Sequence, residues 1–124
     1  MNIPTPLPSE GFSISPRASF AVFKSFPLLG IATNSLTPKL ILFQDHIECR
    51  VLKTQRRHYE EIESVDALQT FGTQNVILFW RAGILAFSAN LGKEELLIAL
   101  LHFFRDRGNV LGDRARKILA LHPK

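Results

Sequence analysis

The chain predicts an α+β fold that is mainly β: about seven short strands in a bent antiparallel sheet, then a closing helix and a short extra helix. Three observations carry this. From residue 18 to residue 89, short apolar pieces are punctuated by turn residues, and the clearest of them follow the two-residue period of strands. From Lys93 the period changes to that of an amphipathic helix. A sheet that comes first and a helix that comes last point to an antiparallel sheet capped by the helix, not to βαβ units. A bent sheet of seven strands rolls into a barrel or sandwich to hide its edges, and the helix closes one open end.

Residues 1–16 hold Pro4, Pro6, Pro8 and Pro16. Proline lacks a backbone donor and fixes φ, so this stretch is expected as a flexible or extended arm that joins no ladder, anchored at most by Leu7, Phe12 and Ile14. The domain proper is expected over 17–109. Ser19–Lys24 and Leu28–Thr33 are weak strand candidates, and Lys39–Gln44 is a strong one. Asp45-His46 makes a turn into Ile47–Lys53, where Ile47, Cys49 and Val51 share one face while Glu48, Arg50 and Leu52 take the other. Thr54–Arg57 reads as a polar link. In His58–Leu68 the apolar points Tyr59, Ile62, Val65 and Leu68 are three apart, which fits a bulged strand better than a short helical turn. Gln74–Arg81 and Ile84–Ala89 form a hairpin around Ala82-Gly83. Lys93–Arg107 is the capping helix, with Leu97, Leu101 and Phe104 on its stripe, Glu94 and Glu95 in its first turn, Arg105 and Arg107 in its last, and Gly108 as its stop. Residues 110–124 hold a short basic helix with Leu111, Ala115, Ile118 and Leu119 inward.

At 124 residues the chain is one domain, and its 46% hydrophobic, 21% charged composition excludes wholesale disorder. A single cysteine, Cys49, forbids an internal disulfide. The N-terminus has neither the basic nor the apolar region of a signal peptide, and no apolar run approaches the ~20 residues of a membrane span, so a cytoplasmic location is expected. Residues 1–104 carry nine Lys/Arg against nine Asp/Glu, so the net charge of +4 arises wholly in the last twenty residues.

PKLILFQDHIECRV (Pro38–Val51), YEEIESVDAL (Tyr59–Leu68) and VILFWRAGILAFSAN (Val76–Asn90), followed by KEELLIALL, together resemble the bacterial pleckstrin-homology-like group. Their order is a strand ending in an acidic turn, a Tyr-x-x-Ile-x-x-Val segment, and a hairpin running into a capping helix. The resemblance spans residues 38–107 and implies a partly open seven-stranded barrel plugged by the helix. It carries no catalytic residues. Members of that superfamily bind lipid headgroups, peptides or other proteins, and some act mainly in assembly; the fold itself does not choose among these.

No enzyme is expected. His46, His58, His102 and His122 are scattered, Cys49 sits inside an alternating strand, and no glycine loop, C-x-x-C or H-x-x-x-H spacing occurs, so no cofactor or metal is called for. Glu60, Glu61, Glu63 and Asp66 read as a solvated strand edge. Three binding candidates remain. Arg50, Lys53, Arg56, Arg57 and His58 form a basic cluster able to grip phosphate, with pairing to the downstream glutamates as the alternative. Four such bases near an anionic membrane are worth about 1 kcal/mol each, together roughly 4 kcal/mol or about millimolar affinity, which assists binding without anchoring the protein. Arg114, Arg116 and Lys117 give the last helix a basic face suited to a membrane surface, or else simply solvated; nucleic acid is disfavoured because few aromatic or polar readers lie among the bases. Finally, Val76–Trp80 is apolar on both faces, so Ile77 and Phe79, or Leu78 and Trp80, are candidates for a subunit interface unless the last helix or the N-terminal arm covers them. The function expected is protein contact, including self-association, ahead of contact with lipid headgroups.

Overall fold

The computed structural model describes residues 2–70 and 72–124, with Leu28 described by its backbone alone. These residues form nine strands: β1 (Phe12–Ile14), β2 (Ala18–Phe23), β3 (Phe26–Asn34), β4 (Lys39–Leu42), β5 (His46–Arg50), β6 (Thr54–His58), β7 (Ile62–Leu68), β8 (Asn75–Trp80) and β9 (Leu85–Asn90). Two helices follow, α1 (Glu94–Asp106) and α2 (Asp113–Leu121). All strand pairs are antiparallel, in a four-stranded sheet of order β1-β4-β5-β6 and a five-stranded sheet of order β3-β2-β9-β8-β7. The chain is therefore α+β and mainly β, as expected.

Two of the nine strands were not expected. Phe12–Ile14 pairs with Leu40–Leu42, and Leu7 and Ile14 are buried in the core, so the arm is docked on the first sheet. The prolines bracket this short ladder without interrupting it. Thr54–His58 is likewise a strand and not a link, pairing residue for residue with β5. Between β6 and β7, Tyr59–Glu61 forms a single 3-10 turn, and β7 then carries a bulge between Ile62 and Ser64. The three-residue spacing thus reflects both a helical turn and a bulge.

One core lies between the sheets. Leu40, Leu42, Ile47 and Cys49 meet Val65, Val76, Leu78 and Trp80, and α1 closes the end with Leu97, Leu100, Leu101 and Phe104. The helix spans the expected residues, capped by Lys93 and Arg107, and Gly108 takes the positive φ of 91° that ends it. The opposite face of the five-stranded sheet is also packed. The sheet curls strongly into a half-barrel, and Val22, Ile77 and Ala86 gather there with Phe20, Leu68 and Phe79. The cover that Val76–Trp80 requires is therefore supplied by the main core on one side and by the sheet's own curl on the other.

Helix α2 packs on β7 through Leu111, Ala115 and Leu119. Its preceding residues bind the edge of β7: Val65 N–H donates to Val110 O and Gly112 N–H to Val65 O, both at 2.8 Å. Asp66, expected in a solvated acidic edge, instead turns to the helix start, where its Oδ1 accepts from Ala115 N–H at 2.9 Å.

Candidate functional site

Hairpin β2–β3 shows how an apolar strand comes to protrude. Ala21 stands opposite Ala32, Val22 opposite Gly30, and Phe23 opposite Phe26. Over those steps β2 advances one residue each time while β3 advances two and then four. The surplus residues form bulges, which push side chains off the regular ladder. Leu29 and Ile31 are among them, and each is about half exposed, as is Phe26. The sequence FPLLGIATN reads as a run for a buried strand; the register turns part of it outward.

Each sheet has two edges, and three of the four are short, polar or covered. Strand β1 is three residues long and lies just ahead of Pro16. Strand β6 is wholly polar (TQRRH), and β7 is covered at its middle by Val110–Gly112. Strand β3 is nine residues long, carries no charge, and pairs only with β2 among the described residues. Of the usual protections of an edge strand, β3 lacks charge, shortness and cover and has only Pro27 and its bulges. Six of the eight exposed large hydrophobic side chains among the described residues lie on β3 or on the loops at its ends: Phe26, Leu29, Ile31, Leu36, Leu52 and Ile84. Ile84 is tied to one end by Lys24 N–H donating to its carbonyl at 2.8 Å. The other end is tied to the β5–β6 loop by Asn34 Nδ2 donating to Val51 O at 2.7 Å. A groove of about 520 Å³ runs beside this ridge, lined by Phe20, Val22, Leu68, Thr33, Thr73 and Asn75 among others. A larger groove of about 700 Å³ lies where residues 2–7 and the C-terminal residues cross α1 near Ile98 and His102.

The expected basic cluster is divided by the strand it belongs to. Because Thr54–His58 is extended, neighbours point to opposite faces. Arg56 is exposed and 3.9 Å from Glu48, whereas Arg57 lies over the Trp80 ring at 4.8 Å and pairs with Glu61 at 3.5 Å. Arg57 is thus engaged within the fold and not offered to phosphate. His58 starts the 3-10 turn, its N–H donating to Glu61 Oε2 at 2.7 Å. Lys53 is exposed in the β5–β6 turn together with Leu52, which lies beyond the end of β5 and so belongs to no strand face. Arg50 is half-buried, and its Nε has no partner among the described residues.

The proposed interface quartet is also corrected. Ile77, Leu78 and Trp80 are buried at 5% exposure or less, and Phe79 is half-buried against Val22, Ile77 and Ala86. Arg114, Arg116 and Lys117 do lie exposed on α2, with Arg116 held to Asp113 and to Leu111 O. Tyr59 donates to Phe43 O at 2.6 Å beneath the Arg107 guanidinium, 3.7 Å from its ring. Burial pushes the Cys49 thiol up to about 12, against a weaker opposing pull from Arg57, and burial likewise pushes the Tyr59 hydroxyl up to about 12. Among the described residues no three His, Cys, Asp or Glu side chains gather as a metal site, and no helix is long and apolar enough to cross a membrane. No protein-family model matches the chain, and no curated protein is significantly similar to it.

Proposed function

We propose that the chain is a non-catalytic interaction and assembly module of pleckstrin-homology-like architecture, acting in the cytoplasm and binding a protein partner or a second copy of itself. The observation that carries this reading is the uncharged, one-sided strand β3 with Phe26, Leu29 and Ile31 exposed along it and Ile84 exposed in the β8–β9 loop near its start. Contiguous apolar surface of this kind marks interaction sites in soluble folds. The architecture is supported by β2–β5 and β7–β9, seven strands closed by α1, to which β1 and β6 are additions. Light scattering across a wide concentration range tests it. The wild type is expected to rise above the 14.0 kDa monomer, and Leu29→Glu with Ile31→Glu to hold it at the monomer. A wild type that stays monomeric at the highest concentration removes self-association.

A second reading, a peripheral binder of anionic lipid headgroups, is favoured by the charge around the β5–β6 loop. Lys53 and Arg50 have no acidic partner among the described residues, and Glu48 is the sole acid between His46 and Tyr59.

A further inference from the structure

Two loops at the Asn34 end of β3 each carry a leucine that meets almost nothing. Leu36, between β3 and β4, is 94% exposed, and Leu52, between β5 and β6, is 78% exposed. The loops are built and joined. Asn34 Oδ1 accepts from Leu36 N–H at 3.0 Å and Thr37 N–H at 2.9 Å, while its Nδ2 donates to Thr37 Oγ1 at 3.1 Å and to Val51 O at 2.7 Å. Ser19 Oγ donates to Arg50 O from beneath. One asparagine therefore sets the two tips side by side and satisfies backbone groups of both, which lowers the cost of placing them against hydrocarbon.

The charge around the tips has one dominant sign. Lys53 follows Leu52, and Arg50 stands opposite both Lys39 and Thr54 in the ladders. Glu48 is the one acid there, 3.2 Å from Lys39 and 3.9 Å from Arg56. From Ala18 to Gln44 the chain has no Asp or Glu at all. Protein interfaces favour aromatic and arginine anchors set in pockets and are depleted in lysine. Protruding leucines with bases on the adjoining strand ends match instead an interfacial membrane contact, where apolar side chains sink to the headgroup–acyl boundary and cations stay at the headgroups.

We infer that Leu36 and Leu52 form a paired tip that inserts into the surface of an anionic bilayer, with Lys39, Arg50 and Lys53 against its headgroups. This rests on the lipid reading and adds what the bases lack. The three bases alone are worth roughly 3 kcal/mol, or several millimolar, and burying each leucine adds about tenfold or more, which brings the tip to roughly tens of micromolar or tighter.

Co-sedimentation with phosphatidylcholine vesicles, with and without phosphatidylserine, tests it at low and physiological salt. The wild type is expected to bind only the anionic vesicles. Leu36→Ser with Leu52→Ser is expected to weaken binding about a hundredfold with unchanged thermal unfolding. Lys39→Glu with Lys53→Glu is expected to remove the salt-sensitive part. If the charge variant loses binding and the leucine variant does not, insertion is wrong and headgroup binding stands. If the wild type stays in the supernatant at low salt, both are wrong. If the leucine variant lowers the solution mass instead of vesicle binding, the tip is a protein contact and the inference falls.

Discussion

Replacing Asp66 by alanine is expected to loosen α2 from the domain. The N-cap residue of that helix is Gly112, which has no side chain to offer, and no residue of the helix makes a side-chain cap. Asp66 of β7 supplies one from 49 positions away, its Oδ1 accepting from Ala115 N–H, the third residue of the helix, at 2.9 Å. Loss of such a cap costs about 1 kcal/mol, within a range of roughly 0.5–2. Loss of a negative charge at a helix N-terminus adds about 0.3–1 kcal/mol. Together these give about 1–3 kcal/mol, or a fall in Tm of roughly 5–10 °C for a chain of this length. Asp66→Asn keeps the acceptor and loses the charge, so it is expected to cost only the smaller part, about 0.3–1 kcal/mol. Urea denaturation gives the magnitudes, and hydrogen exchange at Ala115 and Arg116 gives the location. Gly112→Ala provides an independent check, since a Cβ there would collide with the Asp66 carboxylate. In the double variant with Asp66→Ala the collision disappears, so the two costs should fall short of additivity. An Asp66→Ala protein within about 0.5 kcal/mol of wild type would refute the cap, since that lies at the bottom of the range for such losses.

Three further outcomes are expected. Burial raises the Cys49 and Tyr59 values to about 12 in the folded chain, so the native state holds these protons more tightly than the unfolded chain, and stability should be full below about pH 9 and decline as pH rises toward 12. A thiol reagent at pH 8 should correspondingly label Cys49 only in denaturant; rapid native labelling would show the thiol to be accessible. Arg107→Ala removes the guanidinium from the Tyr59 ring and its 3.1 Å hydrogen bond to Gln44 O, and should cost about 1–2 kcal/mol in urea, with Arg107→Lys recovering part of it.

Periodicity made the long elements legible. The stripe of Leu97, Leu101 and Phe104 places α1, and the alternation of Val76, Leu78 and Trp80 with Ile77 and Phe79 shows a strand covered on both sides. It does not show by what, because a sheet that curls onto its own face leaves no mark in local sequence. Strand β6 was opaque for a related reason. On an edge its inward positions are Gln55 and Arg57, and the cation rests on an aromatic ring instead of burying an aliphatic chain. The role of Asp66 depends on a helix far along the chain, so a local reading sees only an acid among acids. Leu36 and Leu52 are single leucines next to turns, and only the Asn34 bonds show them to be neighbours.

The same register that hides the ridge from the sequence also defines how it can be used. A long uncharged edge strand invites another strand to continue the sheet, and then another, which is the route to open-ended aggregation. Pro27 lacks the donor such a ladder needs, and the surplus residues between Ala32 and Phe26 break its repeat. Regular pairing is thereby confined to the end of β3 near Asn34, while Leu29 and Ile31 are turned outward as side chains. A partner of the kind proposed would then be recognised mainly by the shape of those side chains and of the groove beside them, and less by backbone hydrogen bonds that any extended chain could supply. Straightening β3 by deleting its surplus residues would remove this selectivity and the exposed leucine and isoleucine together. On the proposed reading the bulges would separate a specific contact from an indiscriminate one, in a strand whose sequence alone would suggest burial.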